Sequence, residues 1–131
     1  MIRETQRQIA RLRALKNYIQ NNPKEFRQST PEDCVIGLGV RFYRGIMRTQ
    51  YQARTSLQWM GWNKLQRDFA KRYGVTEETA SKLFSGNYSG INGNFKKDYK
   101  SCGLGAKPIP VRSVVRILEY LVKQKEKGNT P

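Results

Sequence analysis

Apolar residues recur at helical spacing through most of this chain. Ile2, Ile9, Leu12, Leu15 and Ile19 follow that spacing, so residues 2–21 are expected to form a helix with one apolar side. Asn21-Asn22-Pro23 should end it, because proline disfavours the helical state in the residue before it. Thr30-Pro31-Glu32-Asp33 has the chemistry of a helix start: a hydroxyl to accept an orphan N–H, a proline at the first turn, and two acids at the positive pole of the dipole. The helix then runs through CVIGLGVRFYR, with Val35, Leu38 and Phe42 as its apolar stripe and the small Cys34 and Gly37 beside it. Gly37 and Gly39 each weaken a helix by ~1 kcal/mol against alanine. Close approach of another helix at these small residues would offset that loss. The same VIGLGVRFY run also fits a short strand. Residues 45–56 read as a loop or a loosely specified helix.

The centre of the pattern is Leu65 to Gly86, LQRDFAKRYGVTEETASKLFSG. Trp62, Leu65, Phe69 and Tyr73 repeat at steps of 3, 4 and 4, which predicts an amphipathic helix. Gly74 is expected to stop it in a left-handed conformation, with Val75 buried in the turn. Thr76 should cap a second helix that opens with Glu77 and Glu78, turns Ala80, Leu83 and Phe84 inward, and ends at Gly86. Residues 86–108 are rich in Gly, Asn, Ser and Lys and form a long loop or hairpin. Val111, Val114, Val115, Leu118, Leu121 and Val122 predict a final amphipathic helix, with Arg112, Arg116 and Lys123 outward and a frayed tail after it. The fold class is therefore all-α: one compact domain of about five helices over 1–125, with a helix-turn-helix-like pair, a long basic loop and a flexible tail at 126–131.

Charge changes this picture most. The 131 residues hold 25 Lys+Arg against 10 Asp+Glu, a formal net charge of +15, with a pI of about 10.2. Such a field attracts polyanions, nucleic acid before acidic proteins or anionic lipid. Between Cys34 and Arg67 there is no acid, while Arg41, Arg44, Arg48, Arg54, Lys64 and Arg67 alternate with Tyr43, Tyr51, Trp59 and Trp62. Guanidinium forks grip phosphates, and aromatic faces stack on bases. Trp62 is assigned to the core and several of the arginines to a surface. Arg3, Arg7 and Arg11 form a further stripe, read mainly as a solvated face.

Candidate catalytic chemistry is sparse. Histidine is absent, which removes the commonest acid–base group and metal ligand near neutral pH. Two cysteines without histidine do not make an ordinary structural zinc site. Cys34 is read as a small packing residue, and Glu32-Asp33 and Glu77-Glu78 as helix caps. Gly103-Leu104-Gly105 lacks the spacing and the Lys-Ser/Thr of a phosphate-binding loop. No enzyme activity, cofactor or metal is expected. A charged start without an apolar leader, and no apolar run near the ~20 residues that span a bilayer, lead to the expectation of a cytoplasmic protein with both thiols free and no membrane association.

FAKRYGVTEETASKLFSG resembles the helix-turn-helix of phage-repressor and LacI-like regulators. Ala70 stands where the helices cross, Gly74-Val75 at the turn, Leu83 in the second helix and Ser85-Gly86 at its end. The resemblance implies that Thr79, Ser81 and Lys82 face a DNA groove. It departs from the pattern at Glu77 and Glu78, which phosphates would repel, and at Ala80, which is smaller than the usual branched residue. Most of the chain also resembles a loosely defined set of small bacterial, actinobacterial and phage helical proteins of unclear function. The residues concerned are Ile19, Pro23, Phe26 and Gln28, then Cys34-Val35-Ile36-Gly37, then Gly74-Val75-Thr76, Ala80 and Leu83-Phe84, then Ile117-Leu118-Glu119. Leu38 replaces the usual aromatic after Cys-x-x-Gly. This second resemblance implies a fold, no activity, and a structural role for the helix pair.

The reading that results is a basic nucleic-acid-binding protein, with DNA favoured over RNA, of the accessory or regulatory type found in phages and mobile elements. Phosphate contacts are expected from Arg41, Arg44, Arg48, Arg54, Lys64, Arg67, Lys71 and Arg72. Thr79, Ser81 and Lys82 are the groove candidates, and Lys96, Lys97 and Lys100 of the loop add charge. Two alternatives stand beside it: a phage-type inhibitor that occupies an acidic site on a host protein, and an RNA-binding component of a ribonucleoprotein. A redox switch through Cys34 and Cys102 is a third.

Overall fold

The computed structural model describes residues 2–26, 34–44, 58–85 and 111–131. They form five α-helices and one short 3-10 turn, with no strand among the described residues, so the chain is all-α. Helix α1 spans Arg3–Asn21 and buries Ile9, Leu12, Leu15 and Ile19. Ile2, at the start of the expected stripe, stays exposed. Both the backbone N–H and the side-chain amide of Asn22 donate to the Tyr18 carbonyl, at 2.9 Å each, and close the helix. Pro23–Glu25 then forms the 3-10 turn, which delivers Phe26 into the core.

Helix α2 spans Val35–Arg44, so the run that also fitted a strand is helical. Its expected start at Thr30 lies outside the described residues. Cys34 takes the capping position: its carbonyl accepts the Leu38 N–H at 2.8 Å and its sulfur accepts the Gly37 N–H at 3.4 Å. Every residue from Cys34 to Val40 is buried, whereas Phe42 is 39% exposed. The Phe42 ring meets Tyr18 and Tyr43 edge-on at centroid distances of 4.6 and 4.7 Å.

The close approach expected at the glycines is found at Gly39. A Cβ there would stand 2.8 Å from Cε2 of Phe69 and 3.3 Å from Cδ2 of Leu15. Gly39 is thus where α1, α2 and the next helix converge. That helix, α3, spans Gln58–Tyr73 and begins four residues before Trp62. The side chains of Trp59 and Trp62 lie outside the described residues. Phe69 stacks on Tyr73 at 4.4 Å, and the Tyr73 hydroxyl donates to the Gly39 carbonyl at 3.2 Å.

Burial, reinforced by Tyr43 and opposed by Arg72 and Arg11, holds the Tyr73 phenol well above its ordinary pKa. An unfolded tyrosine ionises near pH 10, while the folded protein keeps Tyr73 protonated. Above that pH the native state binds the extra proton, so stability falls as pH rises. Between pH 9 and 11 the wild type should lose about 1 kcal/mol more than a Tyr73→Phe variant. Urea titrations at the two pH values measure this, and equal losses would show that Tyr73 does not titrate on unfolding.

Gly74 follows with φ +66°, the left-handed stop expected of it, and Val75 is buried. The Thr76 hydroxyl accepts the Thr79 N–H at 3.1 Å and caps α4, Glu77–Ser85, which buries Ala80 and Leu83. The Phe84 side chain, Gly86 and the long basic loop at 86–108 lie outside the described residues.

Helix α5 spans Val111–Glu126 and buries Val114, Val115, Ile117, Leu118, Leu121 and Val122. It lies antiparallel to α1, because Arg13 pairs with Glu126 at 2.8 Å and Lys16 with Glu119 at 3.8 Å. Among the described helices this α1–α5 pairing is the most extensive. The residues that follow α5 make specific contacts. Gly128, with φ +85°, donates to the Lys125 carbonyl at 3.0 Å, and Asn129 donates to the Gln124 carbonyl at 2.8 Å. This paired closure of a helix end is a Schellman motif. The Pro131 carbonyl then accepts the Thr76 N–H at 3.1 Å, so the tail reaches the turn of the helix pair.

Candidate nucleic-acid interface

The outer face of α3 presents Lys64, Arg67 and Lys71, all exposed. At steps of three and four residues they share one side of the helix, opposite the buried Leu65, Phe69 and Tyr73. Lys64 pairs with Asp68 at 3.1 Å, the one acid on this helix. Arg67 and Lys71 make no ion pair among the described residues.

The C-terminal end of α3 is fixed by cations from two other helices. Arg11 of α1 donates to the Arg72 carbonyl at 3.2 Å. Lys125 of α5 donates to the Gly74 carbonyl at 2.7 Å. Both sit at the negative pole of the α3 dipole, where cations are favoured. Lys125 is only 5% exposed, and burial lowers its pKa. Neither residue was among the sequence candidates. Lys125 does carry a signal: it stands four residues after Leu121, on the inward side of α5.

The other candidates are placed differently. Arg41 is half-buried and its guanidinium lies 3.3 Å from Glu25. The same Glu25 oxygen accepts the Tyr18 hydroxyl at 2.7 Å, which is the main reason the Tyr18 pKa is raised, with burial adding to it. Arg41 therefore sits over the end of α1, away from the α3 row. Arg72 is half-buried, close enough to Tyr43 and Tyr73 that its charge opposes the upward shift that burial gives both phenols. The Arg44 side chain, and Arg48, Arg54, Lys96, Lys97 and Lys100 entirely, lie outside the described residues.

On α4 one candidate needs correction. Thr79 is 4% exposed, and its hydroxyl lies 3.1 Å from that of Thr76. It falls on the inward side of the helix with Ala80 and Leu83, so it offers nothing to a groove. Ser81 is exposed, and Lys82 pairs with Glu78 at 2.9 Å. The outward side of α4 carries Glu77, Glu78, Ser81 and Lys82, one more acid than base.

Among the described residues the acids other than Glu77 are engaged. Glu4 lies 3.7 Å from both Arg7 and Arg11, so the first-helix arginine stripe is partly neutralised. Glu25, Asp68, Glu78, Glu119 and Glu126 each have a basic partner. Among the described residues no cluster of His, Cys, Asp and Glu could hold a metal ion, and no helix is long and apolar enough to cross a membrane. Comparison of the chain with protein-family models, curated proteins and solved structures gives no match.

Proposed function

We propose that this chain binds nucleic acid, duplex DNA first, chiefly through phosphate contacts. The observation that carries this reading is the outer face of α3. There Lys64, Arg67 and Lys71 stand exposed on one side of a helix whose end is anchored from two directions. Cations held on a rigid element release condensed counterions when they meet phosphates, and that release supplies most of the affinity in such complexes. The outward side of α4 argues against groove reading by the second helix of the pair, because Glu77 and Glu78 would face phosphates. Binding of this kind is weakly dependent on sequence and suits an accessory or regulatory DNA-binding factor.

Fluorescence anisotropy with a labelled duplex at 50 mM and 200 mM salt tests the reading. Affinity should fall steeply between the two, and Arg67→Glu/Lys71→Glu should weaken low-salt binding by roughly tenfold or more. Absence of binding to duplex DNA, single-stranded DNA and RNA at low salt would overturn it. Wild-type affinity in the double variant would remove α3 from the interface.

A further inference from the structure

The outward side of α5 carries a second row of cations that the reading above does not use. Arg112, Arg116, Lys123 and Lys127 are all exposed. Their steps of four, seven and four residues keep them within about 60° of arc at 3.6 residues per turn. The helix itself ends at Glu126, and the Lys127 N–H still donates to the Lys123 carbonyl at 3.1 Å, so the last cation continues the row. At 1.5 Å rise per residue the row is about 22 Å long, a length over which duplex DNA carries about 13 phosphate charges.

Two acids share this half of α5, and both have partners on α1. Glu126 lies 2.8 Å from Arg13 and Glu119 lies 3.8 Å from Lys16. Within the described residues Arg112, Lys123 and Lys127 form no ion pair. The inter-helix pairs thus draw the negative charge sideways and leave the crest of the helix positive.

The same pairs fix where this row lies. Arg11 leaves α1 toward α3, while Arg13 and Lys16 leave it toward α5. On a helix, Arg11 is about 140–160° around the axis from those two residues. Helices α3 and α5 therefore meet α1 on different sides and touch each other where Lys125 reaches the Gly74 carbonyl, so the two rows stand on the outward sides of two different helices.

We propose that the α5 row is a second phosphate-binding surface, and that one chain holds two separate stretches of nucleic-acid backbone, one on α3 and one on α5. This rests on the nucleic-acid reading above. It makes the protein a bridging factor, able to hold two duplex segments together.

The test uses the full chain, a duplex fixed to beads and a second duplex that is fluorescent and free. The α5 variant is Arg112→Gln/Arg116→Gln/Lys123→Gln/Lys127→Gln, since glutamine keeps helix propensity near that of arginine and lysine. Circular dichroism checks that it folds. Wild type should load onto the beads and capture the free duplex. The α5 variant should still load through α3 but capture at least tenfold less, and its slope of log affinity against log salt should be shallower. Wild type that loads but captures nothing would overturn the bridging inference and leave the nucleic-acid reading intact. Capture by the variant equal to wild type would do the same. Wild type that does not load would overturn both. Loss of the helical signal in the variant would move the test to two half-variants, Arg112→Gln/Arg116→Gln and Lys123→Gln/Lys127→Gln. Unchanged capture in both of those would overturn the inference.

Discussion

Phe69→Ala is expected to destabilise the protein by about 3–5 kcal/mol, the usual range for emptying a buried aromatic site. Phe69 is fully buried, stacks on Tyr73 and fills the space that Gly39 leaves between α1, α2 and α3. Helices meeting at a glycine have little else to close that gap, so the cavity should collapse poorly. A fall in melting temperature of roughly 10–20 °C follows for a domain of this size. Gly39→Ala alone should also destabilise, by about 1 kcal/mol. Its Cβ would meet the Phe69 ring at 2.8 Å, and such overpacking outweighs the gain in helix propensity. With Phe69 already alanine, the sign should reverse. The new methyl then enters vacated space, and the propensity gain of ~1 kcal/mol remains. A double-mutant cycle by urea unfolding measures this coupling. Additive effects would mean that Gly39 and Phe69 do not pack as described.

Gly74→Ala is the second large effect, expected at about 2–5 kcal/mol. A side chain at φ +66° incurs the left-handed penalty of about 1–2 kcal/mol. The added Cβ would also fall on the ends of the Gln8 and Lys125 side chains. Those ends can swing away, but Lys125 then gives up its bond to the Gly74 carbonyl and leaves a buried ammonium without that partner, worth a further 1–3 kcal/mol or so. Gly128 supplies the control. It has φ +85° with nothing within 4 Å of an added Cβ. Gly128→Ala should therefore cost only the backbone penalty, about 1 kcal/mol. Thermal melts of the two variants separate strain from crowding, and equal losses would refute the Lys125 contribution.

Local features were legible in the sequence where one residue's chemistry sufficed. Proline placed the end of α1, glycine the left-handed stop at Gly74, and the Thr76 hydroxyl the start of α4. Apolar spacing found the buried sides of α1, α3 and α5. Polarity misled where a polar side chain faces inward. Thr79 lies in the same register as Ala80 and Leu83, yet its hydroxyl suggested a groove contact. Lys125 lies in register with Leu121, yet the run of charged residues around it hides that register. What satisfies each is local for Thr79, the neighbouring Thr76, and remote for Lys125, the Gly74 carbonyl. Only the first could be read from adjacent residues. The acceptor that the Thr76 N–H finds at Pro131 is likewise far away in sequence. The outer face of α3 was legible as part of a basic stretch. That Arg41 turns to Glu25 depends on the 3-10 turn, which no periodicity announced.

The pairing of α1 with α5 also bears on how the chain reaches its native state. Helix α1 buries its apolar side mainly against α5, and everything from Asn22 to Pro110 lies between the two in the chain. Until α5 emerges, Ile9, Leu12, Leu15 and Ile19 lack their principal cover. Folding dominated by such distant contacts is slow and leaves sticky intermediates. Completion of this core therefore waits for α5, and a chain without it leaves the apolar side of α1 uncovered.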